Sequence, residues 1–498
     1  MSKIKIGWAE VDITPKEKIS LAGQFFERIS DVVESELKAV AMAVESGDEQ
    51  MIICAVDLVS IGSNLHEAVK AKVSSATGIS ADKIITSAIH THTSYTYDRW
   101  MGTVGAGTSD FGKKYLEAVL PEDMKYVPLV SGEKCMSPVD ALEFLIEKVS
   151  EACILAWNNR NSAYYKNAFG RVAVGMCRRV CYDDGSAKMW GDTNHANFTE
   201  LEGGNDSGME LIFTYDADKK LTGVVANIAC PAQVVEHRSF ISSDYWGKVR
   251  ENIKKKFGEN VAVLGLCSAA GDQCPRDMIR WVNPESPIDD PNIKREAYIE
   301  RRADPSMFDV TGLKLVGKRI SNEIISVYEE LDGNLLDEAL LIHETVKMTF
   351  PLRRVTIAEY NDAISKIDEF IAKNRGKNVT FEETAALHIY SGTLSRYELQ
   401  KTVNTYDDEI HIIRFGDIAI ATNPYELFLD YGNKIRARSL AKQTFLIQLS
   451  CGSRAYLPTE KAEKGSHYSA YVSSGFTGHE GGDILVRETL DHINKMFK

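Results

Sequence analysis

Five apolar runs in this chain each stop in a polar cluster rich in chemistry-bearing side chains, and this limits the fold more than any other feature. Lys83–Ile89 runs into His90-Thr91-His92-Thr93-Ser94, and Leu221–Cys230 into Pro231-Ala232-Gln233, with His237 just beyond. Ala262–Cys267 leads to Gly271-Asp272-Gln273-Cys274-Pro275-Arg276, Asp417–Thr422 to Asn423-Pro424-Tyr425-Glu426, and Thr444–Ser450 to Cys451-Gly452-Ser453-Arg454-Ala455-Tyr456. Short apolar runs bounded by turn formers read as strands buried on both faces. In open α/β sheets, ligands bind beyond the carboxyl ends of such strands, so the five ends together mark a candidate site. On an extended chain His90 and His92 share one face. Imidazole serves both metal binding and proton transfer near neutral pH.

With 498 residues, the chain holds two or three domains, or one large catalytic domain with insertions. Its 44% hydrophobic content is that of a soluble globular protein with ample core. The net charge of -13 is spread along the chain, which argues against a nucleic-acid groove or an anionic membrane surface. The expected partner is a small-molecule substrate. No apolar signal segment follows Met1, and the strongest apolar run, Met51–Val59, contains Asp57 and is too short to span a bilayer. The nine cysteines lack metal-ligand spacing (Cys177 and Cys181 make only a C-x3-C) and read as reduced thiols of a cytoplasmic protein.

The first third alternates strands (Ile4–Ile13, Leu37–Glu45, Met51–Val59, Lys83–Ile89) with helices at Asn64–Ser75 and Ala141–Asn158. Strands at Leu211–Tyr215, Leu221–Cys230 and Ala262–Cys267 follow, with helices near Tyr245–Phe257 and Leu313–Leu331. Residues 94–136 read as a long loop or lid, and 281–306, with four prolines, as a surface excursion. From Thr356 to Thr402 the periodicity is helical, and paired strands joined at Gly416 come next. The expected class is α/β (α+β), with one large mixed sheet flanked by helices. Residues 1–350 form an N-terminal catalytic region, 351–405 a helical insertion, and 406–498 the remainder of the same catalytic domain.

The clusters, taken in order, resemble the neutral, non-lysosomal ceramidases and their bacterial relatives. Gly7-Trp8-Ala9-Glu10-Val11-Asp12-Ile13-Thr14-Pro15 is similar to that family's N-terminal strand and Asp-Ile-Thr turn. His90-Thr91-His92-Thr93-Ser94 resembles its His-Thr-His-Ser motif, and Gly271-Asp272-Gln273-Cys274-Pro275 its Gly-Asp-x-Ser-Pro motif, with Cys274 in place of serine. Pro424-Tyr425-Glu426 resembles its Pro-Gly-Glu, and the segment around Tyr456 its tyrosine segment. The resemblance implies a zinc enzyme with His90, Glu426 and Tyr456 as ligands, His92 near the reacting carbonyl, and Asp272 and Cys274 in the catalytic loop. The family's second zinc histidine, in a Cys-His-Pro segment, has no counterpart in Cys230-Pro231-Ala232, and His237 is the nearest substitute. The glycine-rich stretch after the histidine motif is replaced by residues 95–100, and the chain ends soon after Tyr456. These departures point to a substrate other than ceramide.

Several residues keep two readings. Cys274 is a nucleophile, a weak donor that orients water or substrate, or a small residue packing a turn. Asp272 orients a histidine or caps a helix. Arg178 and Arg179 bind substrate or form a solvated pair, with Arg179 and Trp190 taken as substrate-binding candidates; Trp190 opens an aromatic, polar turn ending at His195 that suits a sugar-like ligand. His66, His343, His388 and His492 lie in periodic segments and read as structural or solvent-facing, while His467 and His479 are placed to close over the site. The leading expectation is a zinc-dependent hydrolase of an amide or related bond in a small polar substrate. The alternatives are a lyase or isomerase of a sugar or cyclitol derivative, and a non-catalytic binding protein on a degenerate enzyme fold.

Overall fold

Three strand–helix–strand units, each with its two strands parallel, deliver the loaded ends. In the first, Glu49–Val56 and Ile84–Ala88 are joined through helix Ser63–Thr77. In the second, Leu221–Ile228 and Ala262–Cys267 are joined through Tyr245–Phe257. In the third, Ile418–Thr422 and Gln443–Ile447 are joined through Leu429–Arg438. Parallel neighbours need such a crossover, and it brings both carboxyl ends of a pair to the same edge. Every residue of Ile84–Ala88, Ala262–Cys267, Ile418–Thr422 and Gln443–Ile447 is buried, as the unbroken apolar runs imply.

The coordinates are a computed structural model that describes residues 1–24, 28–97, 120–121, 123–124, 126–127, 135–282, 302–303, 309–377, 379–380 and 387–498. Most of the expected lid (94–136) and of the expected excursion (281–306) lies outside the described residues.

The strands belong to a mixed α/β architecture, but in place of the expected single large sheet the described residues form three larger sheets and several small ones. The first runs Glu338–Ala339, Ser2–Asp12, Lys38–Ser46, Glu49–Val56, Ile84–Ala88. The second runs Ala262–Cys267, Leu221–Ile228, Gly208–Tyr215, Tyr164–Arg171. The third runs Leu341–Pro351, Thr405–Phe415, Ile418–Thr422, Gln443–Ile447. Twist makes open sheets beyond about ten strands split into packed sheets. Ile4, Val40 and Ile53 of the first sheet, Ile212, Val225 and Leu264 of the second, and Ile413, Phe415 and Ile447 of the third meet in one core. Polar stitches fix the sheets near their loaded ends: Gln448 N donates to Cys267 O at 3.0 Å, and Asn227 Nδ2 to Leu446 O at 2.8 Å. Ser87 and Ser450 form an antiparallel bridge between the first and third sheets.

Leu341–Pro351 and Thr405–Phe415 pair from Leu341↔Phe415 to Pro351↔Thr405, so the chain between them is an excursion from one hairpin. It carries helices Ile357–Asn374 and His388–Leu399 and a small core of its own around Ala363, Ile367, Leu387 and Leu394. Thr356 and Glu359 form a reciprocal cap that starts the first of these helices. Among the described residues no helix is long and apolar enough to cross a membrane. The nine cysteines are all free.

Candidate functional site

His90 and His92 meet, but not as neighbours on an extended strand. The strand stops at Ala88, and His90 takes a left-handed backbone conformation (φ 70°), which is uncommon for a residue with a side chain. Leu58 O pins this turn by accepting from the backbone N–H groups of His90 (3.0 Å) and Thr91 (3.2 Å). The two rings stand edge-on with centroids 4.8 Å apart, and their Nε2 atoms are 3.3 Å apart. His90 Nδ1 donates to Val59 O at 2.6 Å, so its Nε2 turns a lone pair toward Glu426 Oε2, 3.4 Å away.

His92 is oriented from both sides. Gln233 accepts from Arg178 Nη1 (3.2 Å) through its oxygen, and its amide therefore donates to His92 Nε2 at 2.7 Å. The His92 proton sits on Nδ1, 3.4 Å from Glu236 Oε2. Burial, reinforced by His90, Arg28 and Arg178, holds the His92 imidazole well below its usual range, so the ring is neutral. Buried Arg28 donates to His92 O at 2.7 Å and to the carbonyls of Glu236 and Arg238 at 2.8 Å each. Gly23 (φ 93°) passes so close that a Cβ there would stand 2.5 Å from His92 Cγ, which only glycine avoids.

Glu426 comes from a two-residue parallel pairing in which it lies opposite Tyr456. Burial pushes the Glu426 carboxyl up, but His90, Arg178 and a hydrogen bond from Tyr456 outweigh it and hold it below its ordinary value. Arg178 donates through Nη2 to Gly271 O (3.0 Å) and Tyr456 Oη (3.4 Å). Gly271 donates its N–H to Leu427 O at 2.8 Å, and a Cβ on it would lie 2.3 Å from Glu426 O. Glu236 is pushed up by burial, against the pull of Arg276, Arg178, Arg28 and His90. One site thus gathers His90, His92, Gln233, Glu236, Glu426, Tyr456 and Arg178, all buried or nearly so.

The other expected site residues are held by partners of their own. His237 turns toward Asp309, with 3.8 Å between Nε2 and Oδ1, and burial pushes its imidazole down to about 4. Asp272 caps: its Oδ1 accepts from Leu429 N at 2.9 Å at the start of helix Leu429–Arg438, and burial pushes its carboxyl up to about 6. Cys274 is fully buried, its thiol pushed up to about 12 by burial, and its Sγ–H faces Arg276 O at 3.4 Å. All five N–H groups of Arg179 are taken, by Glu202, Tyr468 O, Ser469, Ala462 O and Ser466 O, so none is left for a substrate. Of the two neighbours it is Arg178 that reaches the site, at Gln233 and Tyr456. Trp190 carries Arg276 over its ring at 4.7 Å and Arg178 at 5.5 Å. It also lines a cavity of about 360 Å³ with Tyr182, Lys188, Asp192, His195 and His467. His479 pairs with Glu463 (2.8 Å) and His492 with Glu344 (2.6 Å).

A catalytic zinc ion takes three protein ligands and keeps an open position. His90 Nε2, Glu426 and Tyr456 supply an imidazole, a carboxylate and a phenol. The 3.4 Å between His90 Nε2 and Glu426 Oε2 is the spacing of two ligands about 2.1 Å from a tetrahedral ion. The donor types of these three residues suit such an ion, and His237, turned toward Asp309, is not among them. Among the described residues, the one group of three or more His, Cys, Asp or Glu whose ligand atoms all lie within 4.8 Å of one another is a different one: His66, Glu409, His411 and Cys451.

Arg178 was weighed with Arg179 as a substrate-binding residue, but Gln233 and Glu236 were not expected to matter. Gln233 belongs to a loaded strand end and Glu236 adjoins His237, but nothing in residue type sets either above its neighbours.

Solved structures share the whole architecture. Over 100% of this chain and 75% of the other, it matches neutral ceramidase from Pseudomonas aeruginosa with a TM-score of 0.66 at 13% identity. A ceramidase complexed with C2 matches over the same shares at 0.64 and 12% identity. At these identities the likeness is one of fold. No family model matches the chain, and no curated protein matches it in sequence.

Proposed function

We propose that this chain, a divergent member of the neutral-ceramidase fold, is a metal-dependent hydrolase of an amide or related bond in a small, polar, anionic substrate other than ceramide. The observation that carries this reading is the convergence of His90, His92, Glu426 and Tyr456 with Arg178 at the ends of three parallel strand pairs. The polar lining of the cavity at Trp190, with Lys188, Asp192 and His195, supports a polar ligand rather than an acyl chain.

His90, Glu426 and Tyr456 would hold the ion, with zinc the metal that suits their nitrogen and oxygen donors. When bound, it supplies Lewis acidity at the scissile carbonyl. The remaining work falls to side chains. Once an attacking water displaces the Gln233 amide from His92 Nε2, that nitrogen takes the water's proton and returns it to the leaving amine, a role worth about 10²–10⁴-fold. Glu236, facing Nδ1, steadies the imidazolium that forms in between. Arg178 donates toward the developing oxyanion, and a donor so placed contributes about 10²–10³-fold. Cys274, its thiol pushed up by burial and its Sγ–H facing Arg276 O, serves as an orienting neighbour. Asp272 sets the position of the Leu429 helix.

A panel of N-acylated amino acids and other N-acyl polar amines, run beside a short-chain ceramide with zinc-replete protein, tests the proposal. Cleavage of an anionic member, lost by about 10²-fold or more in His92→Ala and Glu426→Gln, is the expected result. A preference for ceramide, or undiminished turnover in both variants, overturns it.

A further inference from the structure

Where the first and third sheets meet, a second set of donors closes on a common point. His66 comes from helix Ser63–Thr77, Glu409 and His411 from strand Thr405–Phe415, and Cys451 from the turn after Gln443–Ile447. Their ligand atoms all lie within 4.8 Å of one another. His66 Nε2 stands 3.1 Å and His411 Nε2 3.0 Å from the same carboxylate oxygen, Glu409 Oε1. Both histidines are fully buried.

The groups behind these donors fix which atoms face the centre. Gln50 O lies 3.2 Å from His343 Nδ1, so that nitrogen carries the proton and His343 Nε2 is an acceptor. His411 Nδ1, 2.9 Å from His343 Nε2, is therefore the donor of that pair, and the Nε2 of His411 turns a lone pair inward. His66 Nδ1 is tied to Thr86 Oγ1 at 2.9 Å, which turns its Nε2 to the same place. Lys70 holds the outer oxygen of Glu409 at 2.8 Å and reaches the inner one at 3.0 Å. The backbone N–H of Cys451 is held by Thr86 O at 2.9 Å, in a left-handed turn (φ 60°). Imidazoles with one nitrogen anchored outward and the other aimed at a carboxylate and a thiol are arranged as metal ligands are.

We propose that His66, Glu409, His411 and Cys451 form a closed four-ligand zinc site, separate from the strand-end site and independent of the proposed hydrolase activity. Two imidazoles, one carboxylate and one thiolate are a tetrahedral set for zinc with no open position, so this ion is structural. It ties the helix of the first sheet to a strand and a turn of the third, elements 343 residues apart in sequence between His66 and Glu409. Because ligands so distant meet only in the folded chain, binding the ion is coupled to folding.

The full chain, purified without chelator or histidine tag, is assayed for metal, then stripped and loaded with cobalt(II) as a probe. A thiolate-to-cobalt charge-transfer band in the wild type and in His90→Ala, and its absence in Cys451→Ser with the loss of one equivalent of metal, is the expected result. His411→Asn loses the same equivalent, and stripping lowers the melting temperature of the wild type. Lack of the band in loaded, folded wild type overturns the site, as does a full metal complement in Cys451→Ser. An absent active-site ion would instead show as equal metal in wild type and His90→Ala, so the two proposals fail separately.

Discussion

Asp272→Asn tests how the buried loop beside the site is held. The Asp272 carboxyl accepts from Leu429 N at 2.9 Å, and burial pushes it up to about 6, against about 3.9 in an unfolded chain. Below pH 4 both states hold the proton and burial costs nothing. As pH rises from about 4 to 6 the unfolded chain releases a proton that the folded chain keeps, so stability falls, and it levels off above the folded value. Two pH units at about 1.4 kcal/mol each make the cost about 3 kcal/mol near pH 8. Asparagine keeps the oxygen that Leu429 needs and has no charge to bury. Unfolding entropy of about 2.1 cal/mol/K per residue gives about 1 kcal/mol/K for a chain this long, so the variant melts about 3 °C above wild type at pH 8 and level with it at pH 4. Scanning calorimetry at pH 4, 6 and 8 measures this. A variant that melts lower than wild type by the same amount at every pH refutes the reasoning. Turnover in the variant within about tenfold of wild type marks Asp272 as a positioning residue, and a loss beyond about 10³-fold returns it to the reacting groups.

Three further substitutions probe other parts of the structure. Asp57 and Arg250 form a buried bidentate pair, 2.6 Å at each contact, so Asp57→Ala strands a buried guanidinium and costs about 3–5 kcal/mol, read as a lower urea midpoint. Gly271→Ala drives a Cβ to 2.3 Å from Glu426 O and displaces the strand that presents Glu426; kcat/KM falls more than about tenfold while circular dichroism stays that of the wild type. Arg179→Met breaks the buried link to Glu202 and destabilises the fold by about 3–5 kcal/mol, whereas Arg178→Lys leaves the urea midpoint nearly in place and lowers kcat/KM.

The elements easiest to read in the sequence are those whose burial is continuous. Ala262–Cys267 and Tyr245–Phe257 stand where the apolar run and the helical periodicity put them. Tyr164–Arg171 is an edge strand with a mostly half-exposed face, so it carries no apolar run, and Leu341–Pro351 alternates between buried and partly exposed positions next to the helical excursion. Pairing between distant strands leaves no local trace, which is why one large sheet was expected and several are found. The His90–His92 pair was visible, but its geometry comes from a left-handed turn that periodicity does not encode. In the 231–244 segment the eye goes to His237 because of its chemistry. Packing sends Gln233 and Glu236 to His92 instead, and His237 toward Asp309. His66 looked structural for a similar reason: its partners Glu409, His411 and Cys451 lie in the last quarter of the chain, where no spacing rule connects them to it.

Hydrolysis at the strand-end site is tested most directly by the fate of solvent oxygen. In ¹⁸O-labelled water, the acyl product of an anionic N-acyl substrate is followed by mass spectrometry for wild type and Glu426→Gln. The expected result is incorporation of one labelled oxygen per turnover by the wild type, falling by at least about 10²-fold in the variant. Turnover that leaves the product unlabelled, or labelling that proceeds undiminished in Glu426→Gln, contradicts a hydrolase acting at this site.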